Sequence, residues 1–296
     1  MGLSPILEFT NVSKNYGNKK VVCDINFSIT QNEIIALLGV NGAGKTTTIK
    51  LMLGQELPTS GEIKLFGKEP QDPQSRVSVG STPQNVEFPD GLKTIETLQF
   101  IHAHYPHPLP LENMIEKFGL QSFLNAKASK LSGGQKRRLA LALAFIGNPQ
   151  IIFLDEPTTG LDVESRKILL NAIQDYSKMG KSIFLTTHYL EEIEQIATRI
   201  LFLQNGKIIA DGSVSHIKSL ANTSNTKVTF QCNSKINWEQ FKNMRSFQND
   251  NDNYTLMTTN PDALIYELVQ NNVPFHNLQI IRENLESAFL NLSKGK

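Results

Sequence analysis

Strong net charge is missing from this chain: its 296 residues carry 29 basic and 28 acidic side chains, a formal balance of +1. Without an excess of Lys or Arg there is no broad electrostatic pull toward nucleic acid or anionic lipid, because little counterion release would drive such contacts. Cysteine is scarce as well. Cys23 and Cys232 are the only two, too few for a secreted disulfide scaffold, so a reducing cytosol is the simplest setting and packed thiols the simplest role. Long apolar runs are absent: the longest, Leu139 to Ile146, falls far short of the ~20 residues that cross a bilayer. The opening MGLSPILEFT has no basic segment leading into an apolar one, which argues against a secretory signal. Ile6 stands where a myristoylated terminus needs Ser or Thr. The expectation is a soluble, cytosolic protein. Its 40% apolar and 19% charged residues suffice for a real core. The length suits about two domains, or one large α/β domain with an appendage.

What is present is an alternation of strands and helices. Residues 6–10 and 21–29 read as short strands separated by a turn-prone stretch at 15–20. An apolar run at 34–38 passes through a glycine-rich loop into a helix over 45–53, which Gly54 stops. A second apolar run at 151–154 precedes a helix after Asp162, whose Ile168, Leu169, Ala172, Ile173 and Tyr176 share one face. Gly180 ends that helix and 182–187 form the next strand. This order implies right-handed crossovers and a mainly parallel sheet covered on both faces. Asn205-Gly206, between 199–204 and 207–210, is a strong hairpin signal. Between Pro89 and Phe145 the strand signal vanishes, and a helical subdomain is expected over about 86–147. Beyond residue 220 the chain turns Asn-rich and polar, then recovers. A small α+β appendage is expected there, with strands at 227–232, 254–258 and 278–282 and helices at 237–244, 261–270 and 285–292.

Three motifs carry chemistry. Gly39-Val40-Asn41-Gly42-Ala43-Gly44-Lys45-Thr46 fits G-x-x-x-x-G-K-[ST] and lies between a strand and a helix, where a phosphate-cradling loop must lie. Glycines let backbone N–H groups turn inward, the helix N-terminus adds positive potential, and Lys45 reaches the β- and γ-phosphates. Thr46 would offer its hydroxyl to Mg²⁺. At the end of the second apolar run stand two adjacent carboxylates, Asp155 and Glu156. Alternation along a strand points them differently, so one can serve the metal shell while the other faces an attacking water. Leu131-Ser132-Gly133-Gly134-Gln135 opens a further helix. It offers a second anion site built of a hydroxyl, free N–H groups and a helix N-terminus, or simply an N-capped helix start. His102, His104 and His107 do not form a metal cluster in this reading, because i and i+2 side chains diverge on a helix and Pro106 and Pro108 interrupt it.

The order of phosphate loop, LSGGQ, Ile151–Glu156 and Thr186-Thr187-His188 resembles the nucleotide-binding domain of ABC transporters over roughly residues 5–215. The resemblance implies a P-loop NTPase core of mainly parallel sheet with an N-terminal antiparallel β-subdomain and the inserted helical subdomain. It implies an ATP-binding domain over 1–220, beyond which the composition shift sets off the small α+β C-terminal domain over 221–296. It implies ATP and Mg²⁺ as ligands, with Gly39, Asn41, Gly42, Ala43, Gly44, Lys45, Thr46 and Thr47 around the phosphates. Two such domains pack head to tail in that family, so Ser132, Gly133, Gly134 and Gln135 would serve a partner's ATP. Tyr16 resembles the aromatic that stacks on adenine, and Gln84 the glutamine that contacts Mg²⁺ and relays to the membrane partner. Asp155 corresponds to the Mg²⁺ carboxylate, Glu156 to the general base and His188 to the histidine that contacts the γ-phosphate. Asp162 resembles the aspartate that communicates between subunits, and is equally suited to cap the following helix. Val40 stands where the family often has Pro, and Thr198 where an acid is common; neither removes a catalytic group.

The expected function is Mg²⁺-dependent ATP hydrolysis by a homodimer, or by a pair with another ABC subunit, driving a separate transmembrane permease from the cytoplasmic face of the membrane. No direct nucleic-acid partner is expected. The segments 186–192 and 284–290 resemble type-2 ABC exporters, which makes export the expected direction. The alternative is a non-transport ABC ATPase of DNA maintenance or translation. The former carries long coiled coils between loop and signature, where this chain has only about 85 residues; the latter usually joins two such domains. Permease docking is expected on the surface at about 85–107.

Overall fold

In the computed structural model, residues 4–187, 189–220, 226–234, 236–281, 285, 288 and 289 are described. His188 and the rest of the expected terminal helix therefore lie outside the described residues, as does Arg282 at the end of an expected strand. The chain divides into two compact units, Met1–Ser213 and Val214–Lys296.

The first unit runs β1 (Leu7–Tyr16), β2 (Lys19–Ile29), β3 (Ile34–Leu38), α1 (Lys45–Met52), β4 (Ser60–Leu65), α2 (Pro73–Arg76), β5 (Val79–Thr82), α3 (Thr94–His102) and α4 (Leu111–Lys117). It continues through α5 (Gly133–Ile146), β6 (Ile151–Asp155), α6 (Val163–Lys178), β7 (Ser182–Thr186), α7 (Leu190–Ile196), β8 (Arg199–Gln204) and β9 (Lys207–Gly212). The central sheet has the order β5-β6-β7-β3-β8-β9, parallel except for the β8–β9 hairpin. Strands β3, β6 and β7 are buried at every residue, which is why they read as unbroken apolar runs rather than alternating ones. Asn205 and Gly206 turn the hairpin with φ of 49° and 76°, the paired positive values that a two-residue turn needs.

A second sheet, β2-β1-β4, is antiparallel. Its Phe9 and Phe27 stack at 4.7 Å, and Phe27 reaches Phe184 of β7, which in turn meets Phe153 of β6 at 6.0 Å. These rings join the two sheets into one core around α1. The strands β4 and β5 have no counterpart in the sequence reading. Only Ile63 and Leu65 of β4 are buried apolar residues, and β5 offers one apolar side chain in four. Their places are set by close backbone approach instead. A Cβ on Gly61 would stand 2.3 Å from the Asn11 carbonyl, and one on Gly80 2.1 Å from that of Ala144 on α5.

The second unit contains α8 (Val214–Leu220), β10 (Thr226–Gln231), β11 (Ser246–Asp250), β12 (Asn253–Thr258), α9 (Pro261–Gln270) and β13 (His276–Ile281). Its antiparallel sheet has the order β11-β12-β10-β13, a split βαβ arrangement whose first crossover carries a single 3₁₀ turn, Trp238–Gln240. The helix expected at 237–244 is not formed. Trp238 lies against Phe241, Phe247 and Tyr254, with ring centroids 5.4, 4.8 and 5.3 Å away. Apolar residues spaced like a helix face are here pulled individually onto one core. Strand β11 escaped the sequence reading because all five of its residues are exposed. Leu285, Ala288 and Phe289 are helical. No helix of the described residues is long and apolar enough to cross a membrane.

Candidate functional site

The phosphate-type loop leaves the buried end of β3 and feeds α1, which begins at Lys45. Its framework is fixed by close approach to neighbouring strands. A Cβ on Gly39 would lie 2.4 Å from the Leu203 carbonyl, and one on Gly44 2.7 Å from that of Val21. Gly44 also has φ of 111°, a backbone setting costly for any other residue. Lys45 is 7% exposed, and its Nζ donates to the carbonyls of Gly39 at 2.8 Å and Val40 at 3.3 Å. The ammonium is thereby held across the loop. Burial lowers its pKa below the usual lysine range, and the carboxylates of Glu156 and Asp155 oppose that shift.

A cleft of about 480 Å³ opens over this loop, within the range of small-molecule sites. Lining it are Tyr16, Lys19, Val21, Asn41, Gly42, Gly44, Lys45, Thr46, Thr47, Gln84 and Glu156. Nine of these eleven were expected site residues; Lys19 and Val21 were not, since an exposed Lys at a hairpin carries no distinguishing signal. Gly39 and Ala43 form the buried base of the loop. Tyr16 is 44% exposed. Its hydroxyl donates to Glu56, while Lys14 sits 5.1 Å above its ring and pairs with Glu56 at 3.2 Å.

Asp155 does not line the cleft but lies behind it, 4% exposed, accepting the Thr186 hydroxyl on Oδ1 at 2.7 Å. Thr186 in turn accepts the N–H of Glu156 at 2.9 Å. This hydroxyl on the neighbouring strand organises both acids. Glu156 has φ of 50°, a left-handed backbone unusual for a residue with a side chain and typical of functional sites. The hydroxyl of Thr159 donates to Glu156 Oε2 at 3.2 Å. Thr46 and Gln84 line the cleft and Asp155 lies behind it; each carries a hard oxygen donor of the type that suits magnesium.

Among the described residues lining the cleft are none of Ser132–Gln135. Ser132 caps α5 by accepting the Gln135 N–H at 3.3 Å, and the Gln135 side chain accepts the Ser132 N–H at 3.0 Å, a capping box. Ser132 and Gly133 are exposed, and a Cβ on Gly133 would meet nothing within 4 Å. Asp162 caps α6 by accepting the Ser165 N–H at 2.7 Å, and that bond holds its carboxyl below the usual range. Arg137, which the sequence reading passed over, is buried behind the capping box and donates to backbone carbonyls of two loops. Its signal was available: it falls on the same helical face as Ala140, Leu141 and Ala144, an apolar stripe where a cation needs a reason.

Over residues 22–159 the chain matches the family model described as ABC transporter. It is 40% identical over 223 residues to Nod factor export ATP-binding protein I of Burkholderia pseudomallei, covering 72% of each chain. To the protein of that name from Rhizobium etli it is 37% identical over 215 residues, 70% of this chain and 67% of the relative. Among solved structures it resembles an ATP binding subunit of an ABC transporter with TM-score 0.68 and 28% identity, over 73% of this chain and 93% of that one. A dimeric ATP-binding cassette in a post-hydrolysis state with ADP and Pi shares the fold at TM-score 0.63 and 24% identity, over 70% of this chain and 98% of the other.

Proposed function

The chain belongs to the ABC transporter family as an ATP-binding subunit, and from that premise we propose that it hydrolyses ATP in a head-to-tail dimer and drives export through a separate membrane permease. The observation that carries this reading is that two glycine-rich helix starts stand apart in the chain. The loop at Gly39–Thr46 opens into a cleft of its own, while Ser132–Gln135 presents an uncrowded glycine to the outside of the chain. In the dimer, the second serves the nucleotide held by the first on the other copy, and isologous pairing makes two equivalent sites.

Each residue then has a role. The ring of Tyr16 stacks on adenine. Backbone N–H groups from Asn41 to Thr47 hold the phosphates, and the Lys45 ammonium leaves its loop carbonyls to bind the β- and γ-oxygens. Thr46, Gln84 and Asp155 would hold magnesium, whose charge balances the phosphates. The Glu156 carboxylate orients and polarises the attacking water as general base. The partner subunit's Ser132 and Gly134 close over the γ-phosphate, the chain's own His188 contacts it, and Asp162 communicates between the subunits. ATP favours the closed pair because only closure supplies the second set of contacts. That difference in affinity is what does work on the permease. The relatives named for Nod factor export support export as the direction; the cargo itself would contact the permease. The permease also places this subunit on the cytoplasmic face of the membrane.

Affinity purification of the Glu156→Gln chain from mildly solubilised membranes tests the transport reading. Co-purification of a polytopic membrane protein supports it. Recovery of ribosomes, DNA or no membrane protein would leave ATP hydrolysis standing and remove the permease.

A further inference from the structure

The guanidinium of Arg137 is 5% exposed and is satisfied by the backbone of two loops. Nη1 donates to the carbonyls of Pro83 at 2.6 Å and Gln84 at 3.1 Å. Nε donates to Pro157 at 3.2 Å, and Nη2 to Asp155 at 2.8 Å and to Glu156. The acceptors are 18 to 54 residues away in sequence. One loop carries the glutamine of the nucleotide cleft, the other its two acids. Arg137 itself stands on α5, within the first turns after Ser132–Gln135. The three segments also border one pocket, lined by Gln84, Gly133, Arg137, Thr159 and Gly160 among others.

A planar fork with five N–H donors suits this task, and a lysine does not. An ammonium has three donors on a flexible stem, whereas the guanidinium holds several acceptors in one fixed plane and keeps its charge when buried. Segments bound to such a fork move together. In the dimer proposed above, on which this inference rests, the two ends of the linkage face different nucleotides. Gln84 and Glu156 face the chain's own ATP, and Ser132–Gln135 faces the partner's.

We propose that Arg137 is a positioning residue that couples the two nucleotide sites of the dimer. Seating of α5 on the partner's γ-phosphate is carried through the guanidinium to the backbone at Gln84 and Glu156, which aligns the acid and the glutamine for hydrolysis at the chain's own site. Arg137 contacts none of the phosphate loop or Tyr16 in the hydrogen bonds above, so first-encounter binding of ATP does not depend on it.

The test uses the full chain with Arg137→Lys, which keeps a buried cation, and Arg137→Met as the harsher second variant. Melting temperature, binding of a fluorescent ATP analogue by the monomer, and turnover against ATP concentration are measured for each. In the Glu156→Gln background, ATP-driven dimerisation is followed by light scattering. For Arg137→Lys the expected results are a modestly lowered melting temperature, because some buried carbonyls lose their donor, and analogue binding by the folded monomer unchanged. The ATP concentration for half-dimerisation rises about 5- to 100-fold, the usual span of coupling between sites. Turnover of the unsubstituted chain is expected to depend sigmoidally on ATP, and in Arg137→Lys that dependence flattens to a Hill coefficient of about 1. Retained cooperativity and unchanged dimerisation in Arg137→Lys would overturn the inference. So would a loss of monomer binding and melting temperature in parallel with turnover, which marks a purely structural role. A Glu156→Gln chain that stays monomeric in ATP with Arg137 intact removes the dimer reading itself, and the inference falls with it.

Discussion

Two glycine-rich helix N-termini in this chain, α1 after Gly44 and α5 after Ser132, differ in what surrounds them. The α1 loop is enclosed by its own chain: glycines press against Leu203 and Val21, Lys45 is folded over the loop carbonyls, and a cleft stands in front. The α5 start is sealed only by its own Ser132–Gln135 capping box, with open space beside Gly133. The electrostatics of the two helix starts are alike. In the proposed dimer their surroundings differ because one site is completed within the chain and the other by a second molecule. A glycine demanded by its own fold and one kept clear for a partner look the same in a motif and differ in space.

The largest effect should fall on the enclosed site. Glu156→Gln lowers ATP turnover by about 10²–10⁴, the usual worth of a general base, measured by phosphate release; near-normal turnover would move the chemistry elsewhere. Next comes a pair of alanines that separates the two kinds of glycine. Gly39→Ala drives a methyl into the Leu203 carbonyl and costs about 1–3 kcal/mol of stability, seen as a lower denaturation midpoint. Gly133→Ala leaves that midpoint in place, because its methyl meets nothing in the chain, yet lowers turnover by obstructing the partner's nucleotide. An equal loss of stability in both would dissolve the distinction.

Smaller effects test the edges of the cleft. Tyr16→Ala weakens ATP binding by about 1 kcal/mol, the low end for stacking on a base, while Tyr16→Phe keeps most of the affinity although it removes the hydrogen bond to Glu56, which retains Lys14; titration of a fluorescent nucleotide reads both. The subtlest concerns pH. Because burial lowers the Lys45 pKa, its charge is present at low pH and lost as pH rises, earlier than the ~10.4 of an ordinary lysine. In the free enzyme kcat/KM therefore falls on the alkaline side before an ordinary lysine would titrate, and Lys45→Arg moves that limb upward.

The sequence made the phosphate loop, the acids ending β6 and the β8–β9 turn legible because each is a local pattern: fixed spacing, an apolar run, Asn205-Gly206. Strands β4, β5 and β11 were hidden for a different reason. They carry little apolar periodicity, and their places are set by partners distant in sequence, as the fit of Gly80 against α5 illustrates. The stretch at 237–244 misled because Ile236, Trp238, Phe241 and Met244 pack on one core, which a helix face and an irregular crossover satisfy equally. In the site, types and positions were legible while supports were not. Thr186 bridging Asp155 and Glu156 is a contact across the fold, and so is the gathering of two loops by Arg137, although its place on an apolar helix face marked it as a buried cation.

The claim that the α5 start completes another copy's nucleotide site is tested most directly by mixing two disabled chains, Lys45→Ala and Ser132→Arg. Each alone should be inactive. A 1:1 mixture should recover turnover well above the sum of its components, up to about a quarter of wild type, since half of randomly paired dimers then hold one intact loop facing one intact signature. The coupling through Arg137 lowers it below that ceiling, because the copy with the intact loop has a disabled α5 start. A mixture no more active than the sum of its components would contradict the shared site.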